Sequence, residues 1–235
     1  MVQIMKKLIL FVLGLLGLAA CQPKAQSKRM DTMNYLALGD SYTIGEAVDE
    51  AGRFPAQLVA QLNAAGLAFA PPRIVARTGW TTGELLADLA QADPGGGYDL
   101  VSLLIGVNNQ YRGLDFAIYE REFEQLLRLA LAKAGGRPER VCVVSIPDYG
   151  VTPFAADRDP ARIAREIDAY NATNRALAQR LGVRYFDITP ISRGAERDPS
   201  LLASDALHPS AKMYAAWVAL MKDELIKIWR REKSL

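Results

Sequence analysis

The chain has one histidine, His208, and Asp205 stands three positions before it. An imidazole, with an unperturbed pKa of about 6.5, suits proton transfer at neutral pH. A carboxylate one tight turn away can orient the ring and select its tautomer. Such a base serves a weak nucleophile. The chain offers Ser41 in Gly39-Asp40-Ser41-Tyr42, directly after the apolar run Tyr35-Leu36-Ala37-Leu38. A serine hydroxyl attacks only when a neighbour takes its proton. The negative oxygen formed by that attack needs donors aimed at it. Three are candidates: the Ser41 N–H, the Gly79 N–H in Thr78-Gly79-Trp80, and the Asn108 amide in Gly106-Val107-Asn108-Asn109. Each also has a plainer reading. Ser41 would serve as a helix cap, Asp205 as a cap near the last helix, Gly79 and Asn108 as turn residues and His208 as a surface histidine. Asp40 is expected to be a turn acceptor, and Asn109 and Arg112 to stabilise their loop.

What decides between these readings is whether the fold brings the segments together. From Met33 onward, short apolar runs alternate with helical patterns. Strands are expected at Tyr35–Leu38, Arg73–Ala76, Tyr98–Ile105, Val141–Ile146 and Val183–Phe186. Helices are expected at Phe54–Ala65, Thr82–Ala90, Asp115–Ala134, Ala161–Leu181 and Ala211–Arg231. In the helix over 115–134, Phe116, Tyr119, Phe123, Leu126, Leu127 and Ala130 mark the buried side. Strands alternating with helices imply a parallel sheet covered on both faces. Ligands bind such sheets at the carboxyl ends of the strands. Every candidate segment lies just after a strand or before the last helix. Tyr42, Trp80, Tyr111, Tyr149 and Phe154 fall on or near the same rim, where they would line an acyl or sugar pocket or simply pack at the core edge.

The set Gly39-Asp40-Ser41-Tyr42, Gly79, Gly106-Val107-Asn108-Asn109 and Asp205-Ala206-Leu207-His208-Pro209 resembles the four blocks of the SGNH, or GDSL, hydrolases, in the family's order. The resemblance implies a three-layer α/β/α sandwich with a five-stranded, flavodoxin-like parallel sheet. It implies hydrolysis of esters or thioesters through an acyl-enzyme, with no metal or organic cofactor. Ser41 matches the nucleophile, His208 the base and Asp205 its orienting acid; Ser41, Gly79 and Asn108 match the oxyanion hole. Substrates would be lipid-like esters, as for a lysophospholipase, or O-acetyl groups on envelope or dietary polysaccharide. A non-catalytic binding lipoprotein of the same fold is the rival reading. Two positions depart from the pattern: Tyr42 replaces leucine, and Asn109 replaces aspartate. The second puts the local hydrogen-bond network in question, because an amide accepts less strongly than a carboxylate.

The N-terminus carries a separate signal. Met5-Lys6-Lys7 precedes the continuous apolar run Leu8–Ala20, which is shorter than the roughly 20 residues a membrane span needs. Leu18-Ala19-Ala20-Cys21 resembles the lipobox of bacterial lipoproteins. The expected division is a signal peptide over 1–20, a lipid-anchored tether over 21–32 and a hydrolase domain over 33–235. Cys21 would be the lipidated residue and would attach the protein to the cell envelope. Gln22 after it favours the outer membrane, facing the periplasm. Without Lys6 and Lys7, the 28 basic residues fall to 26 and balance the 26 acidic ones. No basic stripe marks a nucleic-acid partner. Cys142, within Val141-Cys142-Val143-Val144, reads as a buried strand residue.

Overall fold

The computed structural model describes residues 32–232. The leader, the tether and Cys21 lie outside them, apart from the last residue of the tether. Five strands form one parallel sheet in the order β2-β1-β3-β4-β5: β1 Tyr35–Gly39, β2 Arg73–Ala76, β3 Leu100–Leu104, β4 Val141–Val144 and β5 Arg184–Phe186. The long helices are α2 Phe54–Ala64, α3 Thr82–Gln91, α5 Phe116–Lys133, α6 Pro160–Arg180 and α8 Ala211–Glu232. Three short ones lie near strand ends: α1 Ser41–Ile44, α4 Val107–Tyr111 and α7 Thr189–Arg193. Helices α2 and α8 pack together, while α3, α5 and α6 pack in series on one another. This is the expected α/β/α sandwich.

β1, β3 and β4 are buried along their whole length, as strands covered on both faces must be. Their apolar runs therefore do not alternate. Between α2 and α8, Phe54, Tyr214 and Trp217 interlock, with Tyr214 and Trp217 edge to face at 4.9 Å. Cys142 sits in β4, fully buried, and burial pushes its thiol up to about 12.

The expected strands Tyr98–Ile105 and Val141–Ile146 run longer than the observed β3 and β4 for a definite reason. Ser145 N–H still reaches the Phe186 carbonyl, but both backbone groups of Ile146 pair with the Asn171 side chain of α6, at 2.8 and 2.9 Å. The side-chain amide replaces a neighbouring strand and lets the chain turn away as an apolar segment. At the other end of the sheet, Tyr98 N–H pairs with the Lys133 carbonyl, outside the ladder. Apolar character persists past the last ladder bond because burial persists, and only the partner changes.

β1 and β3 are in register from Tyr35↔Leu100 to Gly39↔Leu104. Their carboxyl ends are thus level, and α1 and α4 begin side by side just beyond them. Gly39 makes this possible. A Cβ there would lie 2.1 Å from Thr43 Oγ1 and 2.2 Å from the Leu104 carbonyl oxygen.

Candidate active site

α1 starts on Asp40, whose Oδ1 accepts the Tyr42 N–H at 3.0 Å, so Asp40 is the turn acceptor the sequence suggests. This cap places Ser41 at the first helical position, where N–H groups lack intrahelical partners. Asp40 is fully buried, and burial pushes its carboxyl up to about 7. The N–H groups of Tyr42 and Gly106 work the other way. Its second oxygen has no partner of hydrogen-bonding geometry.

His208 stands in a loop tied across its base. Ala203 N–H meets the His208 carbonyl at 2.7 Å, and Ser210 N–H meets the Leu201 carbonyl at 2.8 Å. Asp205 grips the loop from within. Its Oδ1 accepts the N–H groups of Leu207 and His208, and its Oδ2 lies 2.6 Å from His208 Nδ1. Ala206, between them, holds φ +58°, a conformation that costs a non-glycine residue about 1 kcal/mol or more. Burial raises the Asp205 pKa, but the hydrogen bonds from the His208 ring and from the two N–H groups outweigh it and hold the carboxyl below the usual range. An ionised Asp205 makes Nδ1 the protonated nitrogen and leaves Nε2 as the acceptor.

Gly79 adopts φ +84° in a tight turn closed by Trp80 N–H on the Arg77 carbonyl. Arg112 donates to the Gly79 carbonyl and pairs with Glu84, so it fixes this peptide against α3. Asn108 Nδ2 donates to the Trp80 carbonyl at 2.9 Å. An amide nitrogen carries two hydrogens, so the second stays available to a ligand.

These segments meet around one cavity of about 170 Å³, lined by Ser41, Tyr42, Gly79, Asn108, Tyr111, Tyr149, Phe154 and His208. Asp205 stands behind His208. Thr78, Val107 and Leu207 complete the wall; the sequence held no sign of them beyond adjacency to the motifs. Trp80 is the exception to the expected pocket. It packs half-buried against the core, and only its carbonyl serves the site, as the anchor of Asn108. Tyr42, buried where leucine is usual, packs edge to face on the His208 ring with centroids 5.5 Å apart, and Tyr214 donates to its carbonyl. A larger hollow of about 350 Å³ beside α6 and α7 contains neither Ser41 nor His208, and the ion pairs Arg175–Asp187 and Arg193–Asp168 lie in its lining.

The fold has known counterparts. A model of the GDSL-like lipase/acylhydrolase family matches residues 37–216, most of the chain. This protein belongs to that family. As a GDSL-type protein it is a carboxylic ester hydrolase. Similar solved structures include TesA (19% identity, TM-score 0.63, 82% of this chain and 98% of that one). The acetylxylan esterase Axe2 of Geobacillus stearothermophilus is 22% identical, with a TM-score of 0.59 over 82% of this chain and 94% of its own. The psychrotrophic esterase EstA of Pseudoalteromonas sp. is 17% identical, with a TM-score of 0.61 over 84% and 98%. No curated protein matches the sequence. Among the described residues, no group of three or more His, Cys, Asp or Glu side chains could hold a metal ion.

The GDSL departure at Asn109 has a physical account. Asn109 is buried, accepts the Thr82 N–H at 3.0 Å and donates to Thr82 Oγ1 at 2.7 Å. Thr82 Oγ1 then spends its own proton on Glu122, at 2.5 Å. An aspartate would compete with Glu122 for that single proton. Asn109→Asp should therefore destabilise the fold by about 1–3 kcal/mol, read by urea unfolding at neutral pH; unchanged stability would show that the network tolerates two carboxylates.

Asp40 yields a pH prediction. Its folded-state pKa of about 7 exceeds the unfolded value, so its contribution to stability is full below about pH 4 and is lost as pH rises through 7. Relative to Asp40→Asn, the wild type should lose stability between pH 4 and 7.5. Parallel unfolding curves for the two proteins across that range would contradict the shift.

Proposed function

We propose that the protein is a serine esterase working through an acyl-enzyme on Ser41, with His208 as the base and Asp205 as its orienting acid. The observation that carries this reading is the common cavity of Ser41, His208, Gly79 and Asn108, with Asp205 bound to the far side of the imidazole. Ser41 Oγ attacks the ester carbonyl carbon, and its proton passes to His208 Nε2. The carbonyl oxygen, now negative, takes hydrogen bonds from the Ser41 and Gly79 N–H groups and from the free hydrogen of Asn108 Nδ2. A single donor of this kind is worth about 3 kcal/mol. Collapse of the tetrahedral species breaks the ester C–O bond, and the alcohol leaves with the proton from His208. Water then repeats the sequence on the acyl-enzyme, and the acid departs.

A cavity of about 170 Å³ suits a short acyl group. Sites for drug-sized ligands run to about 300–1,000 Å³. The rim is aromatic and polar: Tyr111 and Phe154 are 40% and 45% exposed, and an arginine-bearing groove opens beside them. These features favour short-chain esters of polar alcohols, such as O-acetyl groups on a carbohydrate, over long-chain lipid esters. The same reading places the enzyme at the bacterial cell envelope, held by lipid on Cys21 and facing the periplasm; the leader's pattern of charge, apolar run and small residues supports this.

Purified protein should cleave p-nitrophenyl acetate, with rates falling steeply beyond butyryl. Ser41→Ala should lower kcat by about a thousandfold or more; equal rates would remove Ser41 from the role of nucleophile. In cells, Cys21→Ser should move the protein from the membrane to the soluble fraction, and unchanged membrane attachment would count against the lipid anchor.

A further inference from the structure

The segment after β4 winds back on itself beside the cavity. Thr152 Oγ1 donates to the Tyr149 carbonyl, Ala155 N–H to the Thr152 carbonyl and Arg158 N–H to the Ala155 carbonyl. This winding brings three side chains from one short stretch to Tyr111. Tyr149 and Phe154 each pack against its ring with centroids 6.0 Å apart, and the Arg158 guanidinium carbon stands 4.3 Å from its centre. Tyr111 and Tyr149 line the catalytic cavity and also an adjoining groove of about 400 Å³. The groove therefore borders the cavity.

Three arginines line the groove, and two are committed. Arg162 pairs with Glu166, and Arg112 pairs with Glu84 and the Gly79 carbonyl. The groove's other carboxylate, Asp159, caps α6 by accepting the Arg162 N–H. Arg158 makes no ion pair with a described acidic residue. An exposed arginine is ordinarily a mobile, solvated charge. Here the aromatic ring holds its face by cation–π attraction, which leaves the in-plane N–H donors presented at the edge. A pinned guanidinium with open edge donors is built to bind a carboxylate or phosphate in a fork.

We propose that Arg158 is a specificity-determining residue that binds an anionic group on the alcohol part of the ester. This rests on the acyl-enzyme reading above. The acyl group, attached to Ser41, must occupy the small cavity, whose wall is largely apolar. The charged groove is then left to the alcohol. The natural substrate is a short-chain ester, acetyl foremost, of an alcohol bearing a carboxylate, as in a uronic acid, or a phosphate, as in a glycerol phosphate.

The test uses two pairs of acetyl esters: mono-acetylated methyl glucuronoside against methyl glucoside, and acetylglycerol phosphate against monoacetylglycerol. The wild type should favour the charged member of at least one pair by about fivefold in kcat/KM, carried mainly by KM. The preferred pair identifies the anion. High salt should shrink the preference. Arg158→Gln should bring that ratio close to one, Arg158→Lys should retain part of it and Arg158→Glu should invert it. The position is exposed, so matching circular dichroism and melting curves should confirm that the variants fold. A wild-type ratio at or below one in both pairs overturns the proposal. So does a ratio that Arg158→Gln leaves unchanged, including equal losses for both members, which would mean that Arg158 only braces Tyr111. Failure of the acyl-enzyme reading looks different: neutral acetyl esters would then be cleaved by Ser41→Ala as well as by wild type.

Discussion

The site depends on how closely β1 and β3 end beside each other. Gly39 faces Leu104 across the ladder, and the Leu104 carbonyl occupies the space a side chain would need. Thr43, one turn into α1, packs over the same point and donates to that carbonyl. Both strands therefore finish level, and α1 and α4 begin side by side in one crevice. That crevice holds Ser41 and Asn108. A wider separation would part the proposed nucleophile from an oxyanion donor; a shifted register would turn one of them away. The buried sheet supplies the rigidity, because neither strand can slide without moving apolar side chains out of the core.

Around this fixed pair, the remaining parts are adjustable loops that the chain has tied down one by one. The loop over 201–210 is closed by its own backbone and by both oxygens of Asp205. The turn at Gly79 is held by Arg112, and its neighbour's carbonyl in turn holds Asn108. The segment after β4 is anchored by buried Asp148, which accepts the Gly150 N–H and pairs with Arg193, itself bridged to Asp168 on α6. Each tie uses a polar group already near the rim. This is how a site on loops reaches the precision of one on strands: the backbone strain at Ala206 and the charge burial at Asp148 are compensated locally.

Much of this is legible in the sequence. Five strands, five long helices and the rim at their carboxyl ends follow from runs and periods, because a doubly covered sheet needs unbroken apolar strands. The short α1, α4 and α7 were not legible. Each is four or five residues long, too short for a hydrophobic period, and is set by a neighbour rather than by its own pattern. Strand ends blurred for a related reason: Ile146 is as apolar as Val144, and only Asn171, 25 residues on, separates ladder from loop. Among the site residues, types with few chemical uses stood out, above all a lone histidine near an aspartate. Trp80 had two readings, pocket wall and core edge, and it packs at the core edge; proximity in sequence says nothing of which way an indole points.

Asn109 and Arg158 show two ways in which a family scaffold acquires individual character. At Asn109, the usual carboxylate is replaced by an amide, and the reason lies outside the motif. Glu122, on α5, needs the Thr82 proton, so the partner on the other side of Thr82 must donate rather than accept. One proton's direction along Asn109–Thr82–Glu122 dictates the residue. Arg158 lies outside every motif, yet it contacts the wall of the proposed acyl cavity through Tyr111. The proposed reaction machinery sits at the strand ends and in the tied loop before α8. The proposed recognition of the alcohol falls to the segment after β4, which takes no part in the register of β1 and β3. A chain can keep the chemistry of its family and still choose its own alcohol when the two tasks fall largely to different parts, joined here by the rings of Tyr111 and Tyr149 and by Arg112, which lines the groove and holds the Gly79 peptide.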